Sequence, residues 1–211
     1  MNNSLSITVV ITLLTAVTSV YAFSNPELQA RWMMNPFAVS RRKEYYRMLS
    51  SGLIHQDWMH LLFNMLAFYL FGERVEYLYK MIFGPQLGGL AFLGLYVLGV
   101  VISDLPTYFK YRDYPHYNSL GASGGVSAVV FASILFTPTQ PICLYAILCL
   151  PGFVFAVLYI LYSVQMSRQG GDNINHDAHL YGAIFGAVFT IVLYPPVVLM
   201  FIRALAEWRI F

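Results

Sequence analysis

Apolar residues along this chain fall into long blocks separated by short polar stretches. Six blocks approach the roughly 20 residues that a helix needs to cross a bilayer: residues 6–23, 58–71 with their flanks, 84–102, 119–136, 142–163 and 177–202. The pattern predicts an all-α, polytopic membrane protein, with one bundle of six transmembrane helices over residues 1–211. Pro195 and Pro196 are expected to kink or end the sixth helix.

The first apolar block has two interpretations. Val20-Tyr21-Ala22 resembles the cleavage site of a signal peptide. However, residues 1–6 carry none of the basic residues that usually open such a peptide. A retained first helix is therefore favoured.

The connector after this block, residues 24–52, mixes apolar and cationic side chains. Trp32, Met33 and Met34 are followed by an Arg41-Arg42-Lys43 run. Long connectors are uncommon unless they are functional. The mixture predicts an element that lies half immersed in the membrane interface.

Composition supports a membrane protein and excludes a nucleic-acid-binding one. The chain is 58% hydrophobic and 10% charged, whereas soluble domains carry about 25% charged residues. The net charge of +2 is small, and no basic run alternates with aromatic residues as nucleic-acid binding requires. Cys143 and Cys149 fall in one predicted helix nearly two turns apart, so no disulfide between them is expected.

Four polar residues stand within the predicted spans, where polar side chains are costly and usually functional. His60 and Asn64 are four residues apart and so project from one face of the second helix. Ser123 stands early in the fourth block, and His179 stands early in the sixth. These four residues are the candidates for chemistry.

Small residues surround Ser123 and follow His179. Gly121 and Gly124 flank the serine, while Gly182 and Gly186 continue the helix after the histidine. Rows of small residues let helix backbones approach closely in lipid. We therefore expect the fourth and sixth helices to pack together and to bring Ser123 within hydrogen-bond reach of His179.

A serine and a histidine so placed could act as a nucleophile and its general base. Acyl transfer also needs donors aimed at the oxyanion of the tetrahedral intermediate. The side chains of His60 and Asn64 and the backbone N–H of Ser123 are the candidate donors. Asp177 lies two residues before His179, and we expect it to cap the sixth helix rather than to complete a triad.

The remaining titratable residues are expected to have structural or solvated roles. Asp57 is placed to cap the second helix, and Glu73, Arg74 and Glu76 are typical of a solvated helix exit. A metal site is a weak alternative, because the histidines have no clustered carboxylates; neither a metal nor a cofactor is expected. Three histidines are predicted to lie at helix ends or in loops, where a solvated or interfacial role is expected: His55, His116 and His176.

Three motifs together resemble the rhomboid family of intramembrane serine proteases. They are His60-Leu61-Leu62-Phe63-Asn64, Gly121-x-Ser123-Gly124 and Ala178-His179-x-x-Gly182, one on each of the second, fourth and sixth blocks. The resemblance implies that Ser123 is the nucleophile, that His179 is its base, and that His60 and Asn64 line the oxyanion hole. It implies no cofactor, and substrates that are transmembrane helices of other membrane proteins in the lipid bilayer.

Two positions depart from the family pattern. The family's Trp-Arg pair ahead of the second helix reads Tyr46-Arg47 here, so that Arg47 is kept as a structural residue. Ser127 stands where many members carry an aromatic residue that packs against the catalytic histidine. We expect another helix to supply that contact.

Charge and family resemblance predict opposite orientations in the membrane. With six spans, the connectors opposite the termini carry more cations than the terminus side, which would place the termini outside. The resemblance implies cytoplasmic termini instead, and we follow it, expecting a multi-pass protein of a bacterial inner membrane.

Two other functions are possible for such a chain. An inactive rhomboid-like protein that binds membrane proteins is the first alternative, and a small transporter or channel is the second. A transporter would predict internal repeats, which the sequence does not contain, and no oligomeric state is predicted.

Overall fold

The computed structural model describes residues 6–144, 148–169 and 174–209. Within these residues the chain folds into eleven α-helices, a 3₁₀ turn and a β-hairpin. The helices are α1 (Ile7–Phe23), α2 (Pro26–Trp32), α3 (Pro36–Arg42), α4 (Arg47–Ser50), α5 (Trp58–Phe83), α6 (Pro85–Ser103), α7 (Leu105–Tyr111), α8 (Ser123–Phe136), α9 (Gly152–Gln169), α10 (His176–Leu193) and α11 (Pro196–Glu207). The 3₁₀ turn is Ser51–Leu53, and the hairpin pairs β1 (Pro141–Leu144) with β2 (Leu148–Pro151).

The chain is mostly helical, as predicted, but six transmembrane helices are not confirmed. Among the described residues, two helical segments are long and apolar enough to cross a bilayer: Pro85–Tyr111, which joins α6 and α7, and α10. The helices α1 and α8 are apolar but have only 17 and 14 residues. The helix α5 is long enough, but its second half carries charged side chains.

The predicted fifth span was wrong over residues 142–144 and 148–151, and its residues 145–147 lie outside the described part of the chain. The strands β1 and β2 pair in antiparallel fashion, the N–H groups of Gly152 and Phe153 close the base of the pair, and α9 begins only at Gly152. Cys143 lies opposite Cys149 in this register, and the two form a disulfide. No disulfide was expected because the two cysteines were assigned to one helix. In paired antiparallel strands, by contrast, Cys143 and Cys149 lie directly opposite each other.

The break in the sixth apolar block falls where the prolines predicted it. The helix α10 ends at Leu193, and α11 begins with Pro196 at its first position. Proline is tolerated there because the first helical N–H groups have no intrahelical partner. Residues 196–202 therefore belong to a separate helix.

The end of α5 is not the solvated exit that its charges predicted. Glu76 is 2% exposed. Its carboxylate accepts hydrogen bonds from the N–H groups of Ile7 (2.9 Å) and Thr8 (2.8 Å) and from the Thr8 hydroxyl (2.7 Å). A negative charge at a helix N-terminus is favourable, so Glu76 fixes the start of α1 against α5. Arg74 is exposed, as expected.

The helix α8 forms the centre of the bundle. Every residue from Gly124 to Ile134 is buried, and α5, α6, α10 and α11 pack around it. A helix that is apolar on all sides is typical of such an enclosed position. The residue that precedes this buried stretch, Ser123, is therefore held at the end of the most constrained helix in the chain.

Two glycines bring α10 against α8 with backbone on backbone. A methyl group added at Gly182 would overlap the carbonyl oxygen of Gly124, and one added at Gly186 would overlap that of Ala128. Both contacts advance four residues in the same direction. The two helices therefore run parallel, and their N-termini lie at the same end of the bundle.

Replacing Gly182 with alanine is expected to lower stability, because the methyl group would push α10 away from Gly124. Overpacking of this kind costs about 1–3 kcal/mol. Thermal unfolding in mild detergent measures the effect. The matched control is Gly94→Ala in α6, where the nearest atom to the added methyl group would be Phe189 Cζ at 3.7 Å. Equal losses in the two variants would contradict the close contact of α8 and α10.

Candidate active site

Ser123 occupies the first position of α8, directly after a tight turn. Gly121 in that turn has a φ of +123°, a conformation that glycine adopts far more readily than other residues. A methyl group there would lie 2.7 Å from Cε1 of His60. The turn therefore packs directly on the imidazole, and Ser123 is half-buried two residues later.

His60 and Asn64 lie one above the other at the start of α5. Asp57 caps this helix as predicted, since its carboxylate accepts from the N–H of His60 at 2.8 Å. The side-chain amide of Asn64 donates to the carbonyl of His60 at 3.0 Å. Asn64 is buried and His60 is half-buried. The structure thus brings the His60 ring against the serine turn and stacks Asn64 one turn below it.

His179 lies in the first turn of α10, half-buried. The contact between Gly182 and Gly124 fixes the position of this turn along α8. Gly182 follows His179 by three residues, and Gly124 follows Ser123 by one. The two N-terminal turns are therefore neighbours. Each helix N-terminus carries a partial positive charge that favours a nearby anion.

A small polar cavity lies beside the serine, with about 10 Å³ of space. This is roughly the volume that one water molecule needs. Its walls come from the end of α6 and Asp104 after it, from Ser51, from the turn before α8 and the start of that helix, and from the start of α10. The lining residues that matter for the site are Ser123, Gly124, Asp104, Asn175 and Ala178.

The connector before α5 holds the turn that leads to Ser123. Met34 and Ser119 exchange two backbone hydrogen bonds, at 2.9 and 3.0 Å, and the N–H of Gly121 donates to the carbonyl of Ser51 at 2.9 Å. Irregular backbone within a membrane is tolerated only where its polar groups find partners. The connector supplies those partners, and within it α2, α3 and α4 are short helices.

Arg47 ties this connector together from inside. The side chain is buried, and one of its terminal nitrogens donates to the carbonyls of Ala30 and Met33, both at 2.9 Å. Its guanidinium also lies 5.6 Å from the centre of the Tyr46 ring. A cation over an aromatic face is attracted to it, so Tyr46 keeps an aromatic contact at the position where the family pattern has tryptophan.

A solvated or interfacial role was expected for His55, and this was wrong. The side chain is 0% exposed. Its Nε2 accepts a hydrogen bond from the N–H of Ala122 at 3.3 Å. The proton of the neutral ring is then on Nδ1, which lies 2.9 Å from the Ser19 hydroxyl. This serine also reaches the carbonyl of Leu53 at 3.2 Å. His55 thus links α1 to the residue before Ser123.

The two other histidines differ in their environment. His116 is exposed, as expected. His176 is buried, contrary to expectation, and its ring meets those of Tyr162 and His179 edge-on, with centroids 5.6 and 5.8 Å apart. No three His, Cys, Asp or Glu side chains in the described part of the chain are arranged to hold a metal ion.

Asn175, not Asp177, caps α10. The side-chain oxygen of Asn175 accepts from the N–H of Ala178 at 3.1 Å and from the Thr107 hydroxyl at 3.0 Å. Asp177, within the first turn, instead forms an ion pair with Lys110 at 3.1 Å and accepts from the Ser167 hydroxyl. Asparagine and aspartate are equally good caps, so the sequence could not rank the two.

The aromatic contact missing at Ser127 comes from another helix, as expected. The Tyr159 ring of α9 is stacked near His179, with centroids 6.2 Å apart and an interplanar angle of 24°. The Tyr159 hydroxyl is 2.6 Å from that of Ser127.

Comparison with known proteins identifies relatives over most of this chain. The family model described as "Rhomboid domain" matches residues 42–196. "RHOMBOID-like protein 12, mitochondrial" of Arabidopsis thaliana is 26% identical over 169 residues, which cover 75% of this chain and 50% of the relative. "Rhomboid-related protein 1" of Caenorhabditis elegans is 30% identical over 164 residues, which cover 75% of this chain and 43% of the relative.

A bacterial relative is matched over more of its length. "Rhomboid protease GlpG" of Haemophilus influenzae is 27% identical over 158 residues, which cover 74% of each chain. The chain thus spans half or less of the plant and nematode relatives.

The buried His55 is expected to make stability depend on pH. Burial, followed by the charge of neighbouring His60, lowers the pKa of His55 to about 3, whereas an unfolded histidine has a pKa of about 6.5. The unfolded state therefore binds more protons between these values. Stability should fall as the pH drops from about 6.5 towards 3, by up to about 1.4 kcal/mol per pH unit.

The variants His55→Gln and His55→Leu test this expectation by unfolding in mild detergent at several pH values. Glutamine can accept from Ala122 without titrating, so its stability should vary less with pH than that of the wild type. The leucine variant leaves the Ala122 N–H without a hydrogen-bond partner. Its free energy of unfolding at neutral pH should therefore be about 1–3 kcal/mol lower than that of the glutamine variant. His116→Gln, at an exposed site, is the control. A His55→Gln profile with the wild-type pH dependence would contradict the buried, neutral ring.

Proposed function

Because the chain belongs to the rhomboid family, we propose that it is an intramembrane serine endopeptidase that cleaves transmembrane segments of membrane proteins through Ser123 and His179. The family match over residues 42–196 includes both residues, together with His60 and Asn64. The chain spans only part of several relatives, so the activity is proposed from its own site.

The observation that carries the proposal is the parallel contact of α8 and α10 at Gly124 and Gly182. It makes the first turn of each helix a neighbour of the other, and these turns hold Ser123 and His179. A nucleophile and its base must approach to hydrogen-bond distance during the reaction, although the distance is often longer before substrate binds. A backbone contact one turn away supports that approach.

In the proposed reaction, His179 takes the proton of the Ser123 hydroxyl as the oxygen attacks the substrate carbonyl. The carbonyl oxygen becomes an oxyanion beside the N–H of Ser123, at the positive end of α8. His60 and Asn64 add donors from α5. The tetrahedral intermediate collapses, and His179 returns the proton to the leaving amine. Water then attacks the acyl-enzyme as His179 takes its proton; the second tetrahedral intermediate collapses, the bond to the Ser123 oxygen breaks, and His179 returns the proton to that oxygen.

The substrate is proposed to be a membrane-embedded helix. The substrate backbone around the cleaved peptide bond must unwind to an extended conformation before Ser123 can attack, because the carbonyls of a helix are engaged in backbone hydrogen bonds. Small residues beside the cleaved bond would fit a site built from closely packed helices. The family match supports a membrane location for this protein. The relatives include a plant protein named as mitochondrial, so the bacterial inner membrane stays a prediction.

The decisive variants are Ser123→Ala and His179→Ala, purified in mild detergent and offered a model transmembrane substrate. Each is expected to lower the cleavage rate by about 1000-fold or more, as loss of a nucleophile or its base does in other serine hydrolases. A fluorophosphonate should label the wild type and neither variant. Ser163→Ala is the matched control, because this buried hydroxyl has no hydrogen-bond partner among the described residues.

Cleavage by Ser123→Ala at the wild-type rate would refute the proposal. A wild type that binds the substrate stably but neither cleaves it nor reacts with the fluorophosphonate would favour the alternative, an inactive rhomboid-like binding protein.

A further inference from the structure

The imidazole of His179 is supported on one face by an aromatic ring from a helix that carries no other proposed active-site group. Tyr159 belongs to α9, and its ring is stacked near that of His179 with centroids 6.2 Å apart and planes inclined by 24°. The ring of His176 approaches His179 edge-on instead. A histidine whose ring is stacked against another ring has little freedom to rotate about its side-chain bonds.

Tyr159 is itself fixed by contacts to α8 and α9. Its hydroxyl lies 2.6 Å from that of Ser127, a buried residue. Its ring also lies 5.5 Å from that of Phe131 and 5.6 Å from that of Phe155. Ser127 follows Ser123 by four residues, so both project from the same face of α8. The helix that positions the serine therefore also positions the ring that supports the histidine.

We propose that Tyr159 is a positioning residue for His179, and that the hydrogen bond between the hydroxyl groups of Tyr159 and Ser127 holds the tyrosine in place. This inference rests on the proposed function, because it concerns the orientation of the proposed base. In this proposal Tyr159 contacts neither the nucleophile Ser123 nor the substrate. It acts by keeping the imidazole in the orientation that Ser123 requires.

The chemistry gives the stacked ring a second effect. When His179 takes the serine proton, its ring becomes a cation, and the face of a tyrosine attracts a cation. The contact is therefore stronger in the charged state than in the resting state. An interaction of this kind lowers the barrier to the chemical step without tightening substrate binding.

We expect that the tyrosine at position 159 and the serine at position 127 can be exchanged without loss of the contact to His179. In many rhomboid proteins an aromatic residue stands at the position of Ser127, on α8 itself. Here that position holds a small hydroxyl group, and the ring reaches the same histidine from α9. A tyrosine placed at 127 should therefore replace the one removed from 159, because the hydroxyl groups of Ser127 and Tyr159 lie 2.6 Å apart and a ring from 127 can enter the space that the Tyr159 ring leaves.

The test compares cleavage kinetics for Tyr159→Ser, Tyr159→Leu, Tyr159→Phe and the exchange variant Ser127→Tyr with Tyr159→Ser. Loss of the ring should lower kcat by about 10- to 100-fold, the range expected for a misplaced catalytic group, with KM within about twofold. Tyr159→Phe keeps the ring and should lose less than about tenfold. The exchange variant should recover at least about tenfold over Tyr159→Ser.

Tyr162→Ala is the matched control, since Tyr162 lies three residues further along α9 and its ring meets that of His176. Thermal unfolding of each variant identifies the temperature at which all are folded. Tyr159→Leu retains most of the side-chain volume and serves if Tyr159→Ser does not fold.

The outcomes separate this proposal from the proposed function. A wild type whose cleavage requires Ser123, together with folded Tyr159 variants whose kcat stays within about twofold, overturns the positioning role and leaves the protease intact. An unchanged rate in Ser123→Ala overturns the protease itself. Failure of the exchange variant to exceed folded Tyr159→Ser would also contradict the role, because it would show that a ring on this face does not orient His179.

Discussion

The parallel contact between α8 and α10 constrains everything else around the candidate site. In lipid, helices gain little from burying apolar side chains, because the surrounding acyl chains are equally apolar. Their association depends on close packing, and the contact at Gly124 and Gly182 is as close as two backbones allow. Since α5 and α6 enclose α8 on other sides, a shift of α10 would separate the two turns without any compensating movement. The position of His179 relative to Ser123 is therefore fixed by atoms that take no part in chemistry.

The polar groups around the serine turn follow from the same constraint. The turn from Ser119 to Ala122 is irregular, and its backbone groups cannot be left unpaired within a membrane. They find partners in a segment 67 to 85 residues earlier: Met34 pairs with Ser119, Ser51 accepts from Gly121, and His55 accepts from Ala122. The connector is therefore part of the site, although none of these partners is proposed to touch the substrate.

Local features of the sequence predicted much of the helical structure. The break at Pro195 and the cap at Asp57 depend on neighbouring residues and were correct. The pairing of β1 with β2 was missed because a short apolar run fits a helix or a strand equally well. Glu76 and His55 were misjudged for a different reason. Their partners lie 68 and 67 residues away, and no local pattern can indicate whether a charged or titratable group will meet such a partner.

The departures from the family motif illustrate a related limit of reading motifs by position. Ser127 lacks the ring expected at its position, yet a ring stacks near His179 from α9. Tyr46 stands where the family pattern has a tryptophan, and the guanidinium of Arg47 lies over its ring. At the histidine, the contact is present while the residue that supplies it differs. A motif records which side chain usually supplies a contact, whereas the chemistry requires only that the contact exists. The weight of a departure therefore depends on whether the fold supplies the same contact from elsewhere, as Tyr159 does for His179.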